Sequence, residues 1–256
     1  TSYRDFVKEF GNPLSEFSYG EYRYLSPSVE QFFANGGGVC YVARVIPSDA
    51  KSASLKKGIL TATAVNEGKW GNRIQVSFNS VTKRKMQIVG VNGENYIAKS
   101  VDGFREGDVV VVGDEYNRIK TIFDNSVTFE KPFENDIVDA AIVPSTVVYL
   151  VEMEVIVRYG DEQEKYSGMT LNVASPNYIG YRMVKSEIIK ISVNSFEDVL
   201  NPVTAILGDG LTEGMITLEG GKDGTISKVN AGTFIGEDLG PGKRTGLASF
   251  VENNMV

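Results

Sequence analysis

Apolar positions change their spacing along the first 58 residues. Ser2, with Asp5 three positions on, has the form of a capping box. Phe6 and Phe10 then fall on one helical face, and Gly11 with Pro13 end the pattern. A second helix is expected from Ser26, a cap ahead of Pro27 at the first helical position. Val29, Phe32 and Phe33 form its i, i+3, i+4 stripe, and Asn35-Gly36 closes it. After Gly36-Gly37-Gly38 the run 39–46 is β-branched and apolar, which predicts a central strand. The opening segment 1–58 therefore has an α/β pattern.

From about Gly58 the pattern turns to short strands, expected at 59–65, 73–79, 86–91, 109–112, 119–123, 127–129 and 147–157. Their close spacing and Gly/Asn/Asp turns predict barrel or sandwich pieces. A helix opened by Pro176 is expected over 177–185, weakened by Gly180, and a strand over 188–193. Ser195 with Asp198 predicts a short capped helix that Pro202 ends. The stretch 208–246 is Gly-rich and loop-like, and 244–251 has the start of another helix. No fixed-period repeat is present.

Composition narrows the class. The chain has 256 residues, 42% hydrophobic and 23% charged, as an ordinary globular protein does, which argues against a disordered or collagenous chain. No stretch is long and apolar enough to span a bilayer, and no signal-peptide pattern opens the chain. It begins Thr1-Ser2-Tyr3 with no initiator Met, as expected of a chain whose amino terminus lies further upstream. One cysteine, Cys40, allows no internal disulfide and favours reducing surroundings. A net charge of −7 argues against nucleic acid or an anionic membrane as a main partner. The segment 102–142 holds ten acidic and four basic residues, so about −6 of that charge sits in what has the pattern of a compact, solvated insert.

The absence of histidine removes Ser-His-Asp and Cys-His catalysis and His-based zinc sites. Gly242-Lys243 is followed by Arg244, and Glu237 stands where a P-loop needs its first glycine. Gly208-Asp209-Gly210 is followed by Gly214 one place late for a dinucleotide fingerprint. Asp209, Glu213, Glu219 and Asp223 are carboxylates in a Gly-rich loop, but their order does not match a twelve-residue calcium loop. Glu106-Asp108 and Asp114-Glu115 are expected on exposed turns. Cys40, within an apolar run and with no histidine to activate it, is expected as a small buried hydrophobe. Trp70, the only tryptophan, sits in a tight turn that leads into a strand. It is expected as a packing anchor, with ligand stacking as the sharper alternative. No enzyme, cofactor or metal is expected.

Four groups of residues together resemble the tail sheath proteins of contractile bacteriophages and related contractile injection systems. The first runs Ser2…Asp5-Phe6…Phe10-Gly11, then Tyr24…Val29…Phe32-Phe33-Ala34-Asn35-Gly36-Gly37, then Cys40-Tyr41-Val42-Ala43-Arg44-Val45, similar to that family's opening helix–helix–strand unit. The second, Gly68-Lys69-Trp70-Gly71-Asn72-Arg73-Ile74, resembles its Gly-x-Trp-Gly-Asn lead-in to the next domain. The third spans Val155-Ile156-Val157…Glu164…Thr170-Leu171-Asn172…Asn177-Tyr178…Ile188-Ile189-Lys190-Ile191. The fourth, Leu218-Glu219-Gly220-Gly221-Lys222-Asp223-Gly224 with Thr245-Gly246-Leu247, resembles its Gly-Gly-x-Asp-Gly loop and following helix. The ordered set covers nearly the whole chain, least of all 102–142.

The resemblance implies a multidomain α+β fold. An α/β core would be built from both ends of the chain, 1–58 plus 205–256, and would continue beyond Val256. A β-rich domain of 59–101 plus 143–204 would be inserted in it, carrying 102–142 as a small β-barrel-like insert that projects outward. Trp70, Gly71, Asn72, Gly220, Gly221, Asp223 and Gly224 are the candidate structural motif residues. The implied role is a contractile sheath subunit of a phage tail, assembled in the bacterial cytoplasm. The implied partners are copies of itself in stacked hexameric rings, a tail tube protein, and baseplate and tail terminator proteins. The arms that lock subunits together would lie outside 1–256, so this stretch alone is expected to be monomeric. The competing class is a β-rich surface module binding a receptor or carbohydrate, which exposed aromatics at Trp70, Tyr96 or Tyr116 would favour. A nucleotide- or metal-dependent enzyme is the third.

Overall fold

A computed structural model describes residues 2–133, 146–194, 214–240 and 242–251. The helix expected at Ser195–Asp198, the carboxylates Asp209 and Glu213, the glycines 208 and 210, and residues 134–142 of the acidic stretch lie outside the described residues. The fold is α+β. The chain divides into two compact units, 1–50 with 223–256, and 51–222.

In the first unit, helix α1 (Tyr3–Phe10) begins where the capping signal places it. The Ser2 hydroxyl accepts the Asp5 N–H at 3.1 Å, Phe6 stacks on Phe10, and Gly11 ends the helix. A short helix α2 (Glu16–Tyr19) and a 3-10 turn (Gly20–Tyr24) run directly into α3 (Leu25–Ala34). Ser26 therefore does not cap α3. It lies inside the helix, buried, with its hydroxyl 3.1 Å from Tyr3 Oη. Among the described residues the run 39–46, expected as a strand, joins no ladder and is not assigned as a strand, and a strand exists only as part of a ladder. Cys40 is half-buried and not fully buried; with Phe6, Phe10, Val29 and Phe33 it lines an open groove. Later in this unit come a helix at Ala231–Ile235, with an Asn230/Thr233 capping box, and a 3-10 helix at Gly246–Phe250.

The second unit holds three sheets. Strands β1 (Ser54–Lys57), β2 (Leu60–Ala64), β3 (Gln75–Val81), β4 (Lys85–Asn92), β5 (Asn95–Ala98), β6 (Val109–Val112), β7 (Glu115–Phe123), β8 (Ser126–Phe129), β9 (Val147–Leu150), β10 (Glu152–Tyr159) and β11 (Glu162–Met169) come first. Helix α4 (Ile179–Arg182), β12 (Ile189–Val193) and β13 (Ile216–Thr217) follow. Sheet β1-β2-β12 and sheet β11-β10-β3-β13 share one core, centred on Leu60, Ile74, Val155, Met169, Ile179 and Leu218. Strand β2 shows the alternation that one buried face produces, with Leu60, Ala62 and Ala64 inside and Thr61 and Thr63 toward the surface.

The remaining strands close a six-stranded barrel in the order β4-β5-β8-β7-β6-β9. Its own core includes Met86, Ile88, Val110, Ile119, Val127 and Leu150. The barrel takes in more chain than 102–142, because β4 and β5 enter its wall and β9 pairs back onto β4 through Lys85 and Tyr149. The run 147–157, expected as one strand, is two. Val147–Leu150 completes the barrel, and from Glu152 the chain pairs with β3 and β11 in the neighbouring sheet. The helix expected over 177–185 is shorter, a single turn of α4 followed by a 3-10 turn at Met183–Lys185.

Candidate functional site

The seven motif residues fall into two segments of chain, and the geometry brings the two segments together. Gly68 leads into a 3-10 turn at Lys69–Arg73, which feeds Ile74 and then β3. Within that turn the Trp70 indole N–H donates to Glu67 O at 3.1 Å, and its ring meets Tyr159 edge-on at 5.2 Å. Arg73 lies over the Tyr159 ring and donates to its hydroxyl at 2.7 Å. Trp70 thus packs, half-buried, against the two-sheet core.

Gly71 sits against β2 and the segment before β1. A side chain there would stand 2.8 Å from Ala53 Cβ and 3.0 Å from Ala64 Cβ, so only hydrogen fits. Asn72 reaches across to the second segment. Its Nδ2 donates to Gly221 O at 3.0 Å, and its Oδ1 accepts the Gly221 N–H at 2.7 Å. One amide side chain therefore satisfies both backbone groups of a residue 149 positions away. Gly221 has no room for a Cβ, which would run into Gly68 O and the Asn72 amide. Gly220, at φ +83°, makes the bend that delivers it.

Two further bridges extend this clasp. Lys51 and Lys222 exchange both backbone hydrogen bonds at 2.9 Å, as do Ser54 and Glu219 at 2.8 and 3.1 Å. Lys51 and Lys222 are where the chain enters and leaves the second unit. Within the first unit a matching tie occurs just beyond. Asp49 accepts from the Thr225 N–H at 3.0 Å and its hydroxyl at 2.8 Å, and pairs with Lys228 at 3.4 Å. The two Thr225 hydrogen bonds, chiefly the backbone one, hold the Asp49 carboxyl well below its ordinary value, to about 2. Gly224 packs against Pro47 and Ala50 in the same unit. Asp223 is exposed and lies beside Gly224.

A second polar clasp joins the barrel to the two-sheet domain, through a residue that belongs to the third sequence group. Asn172 Nδ2 donates to Glu106 O at 2.9 Å and to Asp108 Oδ1 at 2.8 Å, while Asn172 Oδ1 accepts the Ala174 N–H. Asp108 was expected on an exposed turn and is instead 2% exposed. Burial raises its pKa despite the donors from Asn172 and the Arg105 N–H, because a carboxylate loses more hydration than those bonds return. The sequence signal for this contact was the Leu171-Asn172 pair, which carries no mark of its partner.

These arrangements are chemically structural. In both clasps amide, backbone and carboxyl groups are spent on one another. Among the described residues no three metal-ligating side chains converge. Tyr96 packs edge-on against Phe129 and Phe133, and Tyr116 lies against the Val109, Val111 and Val151 cluster. Compared with known proteins, the chain matches no family model and no curated protein.

Proposed function

We propose that this chain is a structural subunit of a contractile tail sheath, which polymerises around a tail tube and contracts to drive the tube through a cell envelope. The observation that carries this reading is the surface of the unit made from 1–50 and 223–256. On it Phe17, Tyr24, Leu25, Leu239, Leu247 and Val251 stand exposed. Apolar surface on this scale fits a subunit that is completed by assembly. The two glycine motifs also meet at the Asn72–Gly221 clasp, as parts of one family signature would.

In this reading subunits stack as hexameric rings, and head-to-tail contacts that do not close on themselves produce a helical array. A baseplate trigger lets the array pass into a wider, shorter lattice by rigid-body motion between two sets of contacts. The tube, baseplate and terminator proteins are its partners, and the subunit carries no catalytic site or cofactor. It would be made in the bacterial cytoplasm and end in the virion tail. The competing module, one that binds a receptor or carbohydrate, needs an aromatic platform open to solvent. Trp70, Tyr96 and Tyr116 are each half-buried and packed, which favours the sheath.

Electron microscopy of the full-length protein expressed alone tests the reading. Tubular polymers or stacked rings are expected. A dispersed monomer that binds glycans would replace the sheath with the surface module.

A further inference from the structure

The chain contains two Asn-Gly pairs, Asn35-Gly36 and Asn92-Gly93. Such pairs are chemically labile, because glycine places no side chain in front of its own backbone nitrogen. Loss of ammonia requires a side-chain amide free to turn its Cγ toward the next nitrogen. It also requires that this nitrogen's N–H be uncommitted to an acceptor.

The two pairs differ in both respects. Asn35 ends α3, where its Nδ2 donates to Gln31 O at 2.8 Å and the Gly36 N–H donates to Phe33 O at 3.1 Å. Asn92 ends β4 on the barrel, and Gly93-Glu94 is the two-residue turn into β5, with Asn92 opposite Asn95. Asn92, Gly93 and Glu94 are all exposed. Among the described residues the Asn92 side chain makes no hydrogen bond and the Gly93 N–H has no backbone acceptor.

We propose that Asn92 is a site of spontaneous deamidation, converted in the folded protein ahead of Asn35. The Gly93 nitrogen gives its proton to solvent base and bonds to Asn92 Cγ. The bond from Cγ to the amide nitrogen breaks, that nitrogen takes up a proton and leaves as ammonia, and a succinimide ring remains. Water then adds to one of the two ring carbonyls and opens it to aspartate or isoaspartate. The sum consumes one water and releases one ammonia, with no change of oxidation state. Either product sets a new carboxylate two residues from Glu94. Isoaspartate also lengthens the backbone by one carbon at the residue that pairs with Asn95, which loosens the tip of the β4–β5 hairpin.

The test follows both Asn-Gly peptides by mass spectrometry after incubation of the whole protein at neutral and mildly alkaline pH, folded and in urea. In urea the two sites should convert at similar rates. In the folded protein Asn92 should convert several-fold faster than Asn35, faster still at the higher pH, and yield both aspartate and isoaspartate. Asn92→Gln should remove the signal from that peptide. Equal conversion of the two sites in the folded state, or slower conversion at Asn92, overturns the proposal.

Discussion

At the scale of single residues, Asn72 has the largest consequence for its size. It answers both polar groups of Gly221, which are partly buried and have no other backbone partner among the described residues. Asn72→Ala removes both bonds and leaves a donor and an acceptor unanswered, which costs about 1–3 kcal/mol. Gly221→Ala attacks the same contact from the other side, by forcing a methyl group into Gly68 O. Overpacking of that kind costs roughly 1–3 kcal/mol. Because both changes break one clasp, the double variant should lose less than the two single losses added together. Urea unfolding midpoints read all three. An unchanged midpoint for Asn72→Ala would show that the clasp adds nothing to the stability of the fold.

At the scale of elements, the barrel wall shows how local pattern and tertiary position combine. Strand β6 is four valines and is buried on both faces. Val110 and Val112 fill the barrel, while Val109 and Val111 lie under Val151 on the outside. The loop before β6 is held by Asn172, and Arg84 holds the neighbouring Gly103 O at 3.0 Å while pairing with buried Glu152 at 3.7 Å. Asn172→Ala should therefore destabilise the second unit by about 1–3 kcal/mol. The loss should depend on pH in a fixed direction. Asp108 already has a raised pKa, so its contribution to stability is complete below its ordinary value of 3.8 and is lost as pH rises through the folded value. Without the Asn172 donor the ionised carboxyl is penalised further, so the variant's deficit should grow from acid pH to neutrality. Unfolding midpoints of both proteins across that range check it, and a deficit that shrinks with rising pH would contradict the account.

The same elements show where sequence is legible and where it stops. Strand β6 and the Ser2 cap stand out because their signals are local: an apolar run, and a hydroxyl three residues before its donor. Strand β11 does not stand out. It opens Glu162-Gln163-Glu164-Lys165, as an edge strand with one flank in water can. The 147–157 run conceals a change of sheet at Val151, since apolar residues serve a barrel wall and a sheet centre equally well. The run 39–46 has strand composition but joins no ladder among the described residues, and composition alone does not specify a strand's neighbour. For the candidate site, Asn72 and Gly221 were identifiable as motif residues. That one amide grips the other's backbone was not, because nothing local encodes a contact over 149 positions.

At the scale of the whole molecule, the second unit is two folding problems solved side by side. Among the described residues the two-sheet core draws on Ala53 to Phe78 and then on Met153 to Leu218, with no residue from the barrel. The barrel core draws, among the same described residues, on Met86 to Leu150, with none from the two sheets. The barrel's ends are also adjacent, since the Leu150 N–H donates to Arg84 O at 2.9 Å and Lys85 faces Tyr149 across the β4–β9 pair. A closed barrel has no edge strand left to satisfy, so little is lost when it is cut from its host. Residues 83–152 expressed alone should therefore fold and unfold in one cooperative transition. The barrel replaced by a short Gly-containing turn between Arg84 and Val151 should leave a two-sheet domain that still unfolds cooperatively. Its stability should fall modestly, because Val151 and Asn172 lose their cover and partners. Circular dichroism during thermal unfolding of the two pieces decides the matter. If neither piece shows a cooperative transition, the two cores depend on each other and the barrel is not a separable module.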